Sequence, residues 1–129
     1  MLGLVITFTV VQSFLAAELR DDARAAVDRL AACPQVYGAL RFTPFQPAHA
    51  VIQIGPSLSV CQSMNVGAAA IGPHIVVCPR QWVKLTRPDR VLIMAHEILH
   101  TQGLPENPTD PSAPFTSLDI TRILKATCF

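Results

Sequence analysis

The sequence is organised around His96-Glu97-Ile98-Leu99-His100, which continues through Thr101-Gln102-Gly103 to Leu104-Pro105-Glu106. On an α-helix, a step of four residues returns to within about 40° of its starting direction, so both histidines leave one face about 6 Å apart. That spacing suits two imidazoles on one zinc ion. Glu97 is adjacent to the first histidine and is placed to act as a base that does not itself ligate.

A catalytic zinc ion needs a third protein ligand, which leaves the fourth position open for water. Gly103 predicts the end of the helix and a reversal of the chain, because glycine adopts the left-handed conformation at low cost. The reversal would bring Glu106 back beneath the histidines. Glu106 is therefore the nearest candidate for the third ligand, and Asp110, Asp119 and His74 are its rivals.

The helix that carries the histidines is predicted to begin near Thr86-Arg87-Pro88-Asp89, with proline in its first turn. Its side chains are apolar almost all round, which is typical of a buried helix. His96, Glu97 and His100 would then be polar groups in a dry interior, where they need partners. A metal ion would supply that compensation, and this is the strongest argument against a chance occurrence of the motif.

The segment resembles the zincin metallopeptidase signature, and specifically the metzincin-type pattern HExxHxxGxx(H/D) with glutamate in the last place. Its continuation into Asn107-Pro108 also resembles small secreted bacterial proteins predicted to be metallopeptidases. The resemblance covers residues 88–108, and no methionine follows Gly103 to form the Met-turn of metzincins. It implies one zinc ion held by His96, His100 and Glu106, with Glu97 as the general base and a peptide or protein as substrate.

The first 17 residues contain no charged side chain, although the whole chain of 129 residues contains 15% charged residues. Such a segment suits a signal peptide cleaved after Ala16 or Ala17, although a basic n-region is missing. An uncleaved anchor, or a buried strand or helix, are the alternatives. Residues 18–129 are then predicted to be a single zincin-like domain.

The formal net charge of +1 gives no electrostatic reason to expect binding to nucleic acid or to an acidic membrane surface. We expect a monomer, without stable membrane association unless the N-terminal segment is retained.

Four cysteines in a domain of this size predict two disulfides and a secreted or periplasmic protein. Of the three possible connectivities we favour Cys61 with Cys78, on neighbouring strands, and Cys33 with Cys128, which would tie the first helix to the C-terminal end. Each could stabilise the fold by roughly 2–4 kcal/mol. The alternative is four free cysteines in a cytosolic protein.

The predicted fold is α+β, with a small, mostly antiparallel sheet packed on the long buried helix. Helices are expected over residues 18–32 and 118–126, the second behind a capping box at Thr116-Ser117-Leu118-Asp119. Strands are expected over residues 36–45, 50–54, 57–66 and 67–78. The small residues 67–71 either leave room for a substrate backbone along the sheet edge or pack under the helix.

The function predicted from these features is zinc-dependent hydrolysis of a peptide or related amide. Arg122, Tyr37 and His74 are candidates for a second electrophile. A disulfide-stapled binding or structural protein of the cell envelope, with a degenerate motif, is the first alternative. A metal-binding protein without turnover is the second.

Overall fold

A computed structural model of the chain describes residues 5–55, 61–62 and 66–129. It shows an α+β fold whose elements, in chain order, are β1 (Ile6–Val10), α1 (Ala16–Ala31), α2 (Gln35–Ala39), β2 (Ala48–Ile54), β3 (Ala68–Ile71), β4 (His74–Val77), α3 (Pro79–Trp82), α4 (Arg87–Thr101) and α5 (Ser117–Cys128).

The four strands form one mixed sheet in the order β1-β2-β4-β3. β1 pairs with β2 and β2 pairs with β4 in parallel, whereas β3 and β4 are antiparallel. The prediction of a mostly antiparallel sheet was therefore wrong. The physical reason is connectivity: α1 and α2 cross over between β1 and β2, as parallel neighbours require, and the short turn at Gly72-Pro73 makes the one hairpin seen in the described part of the chain.

The predicted strand over residues 36–45 was also wrong, because α2 occupies its first part. Val36, Tyr37 and Leu40 are all less than 9% exposed, and their spacing places them on one side of a helical turn. Burial of that side outweighs the β-propensity of these residues. The predicted strand 50–54 lies within β2, while most of the predicted strand 57–66 lies outside the described residues.

Helix α4 lies in the centre of the molecule, where it packs on β2, β3 and β4 and against α1 and α5. Its apolar residues Met94, Ala95, Ile98 and Leu99 are fully buried. One face of the sheet supplies the other half of this core, because alternate residues of each strand point toward the helices. The helix that carries the histidines is thus held on several sides by apolar contacts.

Residues 6–10 form the edge strand β1, within the segment predicted to be a signal peptide or anchor. Cleavage of that segment stays a prediction. Within the described part of the chain, none of the helices is both long and apolar enough to cross a bilayer.

Both predicted disulfides are confirmed. Cys33 pairs with Cys128, which links the end of α1 to the end of α5, and Cys61 pairs with Cys78. Cys61 does not lie on a strand, so that pairing was right although its stated reason was not. The capping box is confirmed as well, with Thr116 and Asp119 exchanging hydrogen bonds at the start of α5.

Candidate metal centre

The site begins where α4 ends. Gly103 has a φ of +105°, and its N–H donates to the carbonyl of His100. The next residue, Leu104, donates to the carbonyl of Leu99 at 3.1 Å. These two bonds form a Schellman motif, which stops the helix and turns the chain back along it. Glu106 therefore reaches the face from which the histidines project.

Three ligand atoms converge at this point. Nε2 of His100 lies 3.1 Å from Nε2 of His96 and 3.0 Å from Oε1 of Glu106. Nε2 of His96 lies 3.4 Å from Oε1 of Glu106. We refer to these three ligand atoms, Nε2 of His96, Nε2 of His100 and Oε1 of Glu106, as the triangle. These three residues form the one group of three or more potential metal ligands found among the described residues.

The hydrogen bonds behind the triangle determine which nitrogen of His100 carries its proton. Nδ1 of His100 lies 2.8 Å from the carbonyl oxygen of Leu104, which can only accept. A neutral His100 therefore has its proton on Nδ1 and directs the lone pair of Nε2 at Glu106. Two electron-rich atoms then face each other at 3.0 Å, and a cation between them would relieve the repulsion.

The dimensions of the triangle fit a tetrahedral zinc ion. Nitrogen and oxygen ligands at about 2.0–2.1 Å from zinc lie about 3.3 Å from one another. The three measured separations of 3.0, 3.1 and 3.4 Å are close to that value. The donor set of two imidazoles and one carboxylate is also one that zinc accepts. His96, His100 and Glu106 could therefore hold the ion without a large rearrangement.

His96 is the most enclosed of the three ligands, with 4% of its surface exposed. Burial lowers its pKa, since the charged imidazolium is poorly solvated there, and this favours the neutral form that a metal requires. Its Nδ1 lies 2.9 Å from the hydroxyl of Thr121 on α5. In the zinc-free protein, a hydrogen bond between Nε2 of His96 and the carboxylate holds the pKa of Glu106 below its usual range.

Glu97 lies near the three ligand atoms but does not belong to the group of potential ligands. Burial, followed by the negative charge of Glu106, raises the pKa of Glu97 to about 8, while the backbone N–H of Ala70 on β3 partly opposes this shift by hydrogen bonding. The residue is 8% exposed and lines the same cleft as His100 and Glu106. A carboxyl group with that pKa is suited to exchanging protons near neutral pH.

The loop that presents Glu106 is held mainly by Asn107. The Asn107 side chain donates to the carbonyls of Pro111 and Ala113, and its backbone N–H donates to the carbonyl of Phe115. The N–H of Asp110 donates to the carbonyl of Glu106 itself at 2.8 Å. The loop is thus fixed at Glu106 and at the residue that follows it, which limits the freedom of the carboxylate.

A cleft of about 550 Å³ opens onto the triangle. One wall is strand β3 and the turn after it, and the other comes from α4 and the loop after Gly103. The ionisable groups along it are Glu97, His100, Glu106 and Asp110, and no lysine or arginine belongs to the lining described by the structure. The cleft is therefore open to a ligand and carries negative charge.

The rivals predicted for the third ligand are not in the group formed by His96, His100 and Glu106. Asp110 lines the cleft and bonds to Ser112, whereas Asp119 caps α5. His74 is exposed at the start of β4, near Gln53.

The structure does not bring the candidate electrophiles to the cleft. The side chain of Arg122 is 69% exposed and 4.0 Å from Asp119, and Tyr37 donates to the buried side chain of Gln102. Sequence reasoning missed the contributions of Thr121, Ala70 and Asn107, because each acts through the tertiary structure. Only Asn107 had a local signal, its place beside Glu106.

No protein-family model, no curated protein and no solved structure matches this chain.

Proposed function

We propose that this protein is a zinc-dependent hydrolase that acts on peptide or related amide bonds outside the cytoplasm. The observation that carries the proposal is the convergence of His96, His100 and Glu106 within 3.0–3.4 Å of one another, beside a buried glutamate. The two disulfides are consistent with a secreted or periplasmic location.

The three ligands would hold one zinc ion and leave a coordination position facing the cleft. Zinc bound there would supply Lewis acidity, which polarises a carbonyl group and lowers the pKa of water. The same positive charge would lower the pKa of Glu97 from about 8, since an adjacent cation favours the carboxylate. Glu97 would then be ready to accept a proton at neutral pH.

In this proposal, Glu97 is the proton carrier. Its carboxylate takes a proton from the attacking water and later delivers it to the leaving amine, so the residue is restored at the end of the cycle. The N–H of Ala70 donates to the carboxyl group and orients it. A rigid position matters because proton transfer requires hydrogen-bond distance to both water and amine.

Strand β3 offers an edge for an extended substrate. The N–H of Cys78 donates to the carbonyl of Gly67, so these residues are a hydrogen-bonded pair. By the alternation of an antiparallel ladder, the backbone groups of Ala68 and Ala70 then point away from β4. No other strand of the described chain covers that edge.

A peptide could add to this edge, with the small side chains leaving room above the cleft floor. Ala70 would contact both the general base and the substrate, because its N–H donates to Glu97 and its carbonyl would face the peptide. The resulting substrate class is an extended peptide bound mainly through its backbone.

The test is metal-dependent hydrolysis by purified protein with its disulfides intact. We expect one zinc ion per chain and cleavage of a mixed peptide library, followed by mass spectrometry. Glu97→Gln should keep zinc and lose about 10²–10⁴-fold in rate, as expected for loss of a general base. Glu18→Gln, an exposed glutamate on α1, is the matched control and should retain full activity. Cleavage that survives in Glu97→Gln would contradict the mechanism.

A second candidate is a metal-binding protein without turnover. It is favoured by one observation: no arginine, lysine or tyrosine of the described chain lines the cleft to support a developing oxyanion. This alternative predicts stoichiometric zinc in both the wild type and Glu97→Gln, with no cleavage by either. A protein that binds no zinc would instead favour a stapled envelope protein with a degenerate motif.

A further inference from the structure

The two histidines of the metal centre are held by different kinds of partner. Nδ1 of His100 faces the Leu104 carbonyl, which belongs to the turn that follows the same helix. Nδ1 of His96 faces the hydroxyl of Thr121, which belongs to α5 and lies 25 residues further along the chain. One ligand is thus oriented locally and the other depends on a distant helix.

The hydroxyl matters because of the chemistry of a buried imidazole. To present a lone pair at Nε2, a neutral His96 must keep its proton on Nδ1. That N–H is buried with the rest of the ring, which is 4% exposed, and an unpartnered N–H there would be unfavourable. In that tautomer the Thr121 oxygen, 2.9 Å away, is placed to accept it and to fix the orientation of the ring.

Helix α5 is itself firmly placed. Ile120 and Leu124 are fully buried in the core, the capping box fixes its first turn, and the disulfide between Cys128 and Cys33 ties its end to α1. The Thr121 hydroxyl therefore approaches His96 from a rigid support, as a group that orients a metal ligand should.

We infer that Thr121 is the positioning residue for the first zinc ligand, and that the C-terminal helix is therefore part of the metal centre. The inference rests on the proposed zinc site. Thr121 does not reach the substrate or the metal; it acts by holding His96 in the tautomer and orientation that direct Nε2 at the triangle. Loss of a hydrogen-bond partner of this kind weakens metal binding by about 10–100-fold.

The experiment measures zinc affinity by competition with a chromophoric chelator, on full-length oxidised protein. Thr121→Val keeps the shape of the side chain but removes the hydroxyl, and we expect it to bind zinc 10–100-fold more weakly. Thr121→Ser restores the hydroxyl and should recover affinity to within about threefold. Thr127→Val, on the same helix, is the matched control and should bind like the wild type.

A second readout separates positioning from packing. Long-range ¹H–¹⁵N NMR of the imidazoles reports which nitrogen is protonated, and we expect the Nδ1–H form of His96 in zinc-loaded wild type and Thr121→Ser. In zinc-free Thr121→Val we expect a mixture of tautomers.

The outcomes are distinguishable. If folded Thr121→Val binds zinc with an affinity within twofold of the wild type, the role of Thr121 is overturned while the proposed zinc site stands. Weakening in Thr121→Ser as large as in Thr121→Val would also overturn it, because the hydroxyl alone would then not restore binding and the effect would belong to packing at this position. If Thr121→Val does not fold, the comparison of Thr121→Ser with Thr121→Ala decides between the same two results. A wild type that binds no zinc would remove the proposed function and this inference together.

Discussion

Helix α4 takes part in a partly buried cluster of polar side chains near each of its ends, and the two clusters differ in how fully the protein itself satisfies them. Near its start, Arg90 donates from Nε to Asp22 at 2.9 Å and from Nη1 to the Leu85 carbonyl, so charge and hydrogen bonds are matched within the protein. At its other end, Nε2 of His100 lies 3.0 Å from Oε1 of Glu106, and a neutral His100 with its proton on Nδ1 would direct a lone pair at that oxygen. The first cluster is satisfied within the protein, whereas the proposed zinc ion would complete the second.

The largest expected effect tests whether zinc completes the second cluster. Zinc at about 1,000 times its dissociation constant should stabilise the wild type by about 4 kcal/mol, through binding to the folded state only. Chemical denaturation with and without zinc measures this gain in stability. His100→Ala should abolish it. His49→Ala is the matched control, since His49 is exposed and bonds to Thr7 and Thr9 on the sheet. A gain that persists in His100→Ala would show that zinc binds elsewhere.

The next effect tests the completeness of the first cluster. Arg90→Met leaves Asp22, whose side chain is 2% exposed, as an unpaired buried charge. We expect a loss of about 3 kcal/mol in the free energy of unfolding, whether or not zinc is present. The double variant Asp22→Asn/Arg90→Met should lose less than Arg90→Met alone, because it removes the stranded charge. Equal losses in the single and double variants would argue against a matched ion pair.

A smaller effect is expected at the turn that joins α4 to Glu106. Gly103→Ala places a Cβ 2.9 Å from the ring of Phe45 and strains a backbone with a φ of +105°. We expect a loss of about 2 kcal/mol in stability and weaker zinc binding, because the turn also sets the positions of Leu104 and Glu106. Gly38→Ala is the matched control: nothing lies within 4 Å, and α2 should gain up to about 1 kcal/mol. An unchanged zinc affinity in Gly103→Ala would separate the turn from the site.

The smallest effect is a pH dependence of the zinc-free protein. The folded state raises the pKa of Glu97 from 4.5 to about 8, so its stabilising contribution is complete below pH 4.5 and disappears as the pH rises through 8. Between pH 6.5 and 8 the stability of the wild type relative to Glu97→Gln should fall by about 1–2 kcal/mol. The lowered pKa of His96 acts only below 6.5.

Urea denaturation across this range measures the difference, and added zinc should reduce it by lowering the pKa of Glu97. A flat difference in the zinc-free protein would mean that Glu97 is already ionised there.

Local sequence signals predicted a large part of the molecule. Three local signals describe one helix and its end: the spacing of His96 and His100, the threonine before α4 with the proline in its first turn, and Gly103 after it. They can be recognised from the sequence because capping depends on neighbouring residues. The capping box of α5 was equally local. The pairing of Cys33 with Cys128 was predicted for the right reason, since it links the region of the first helix to the C-terminal end.

The sheet was harder to predict for a physical reason. Short apolar runs such as Val36 to Leu40 suit a strand or a buried helical turn, and burial against the core makes the choice. Strand direction is not encoded in the residues of a strand but in the path of the chain between strands. A hydrophobic pattern therefore indicated that a sheet exists without giving its order.

The sequence by itself determined that two imidazoles and a glutamate share one helix, that the helix is apolar, and that a glycine turns the chain back after it, since all of this follows from spacing along one backbone. Only the tertiary structure decided that Glu106 closes the triangle, that Ala70 holds Glu97 and that Thr121 orients His96. These contacts join residues that are 10, 27 and 25 positions apart in the sequence. They form only because the packing of the fold brings those residues together.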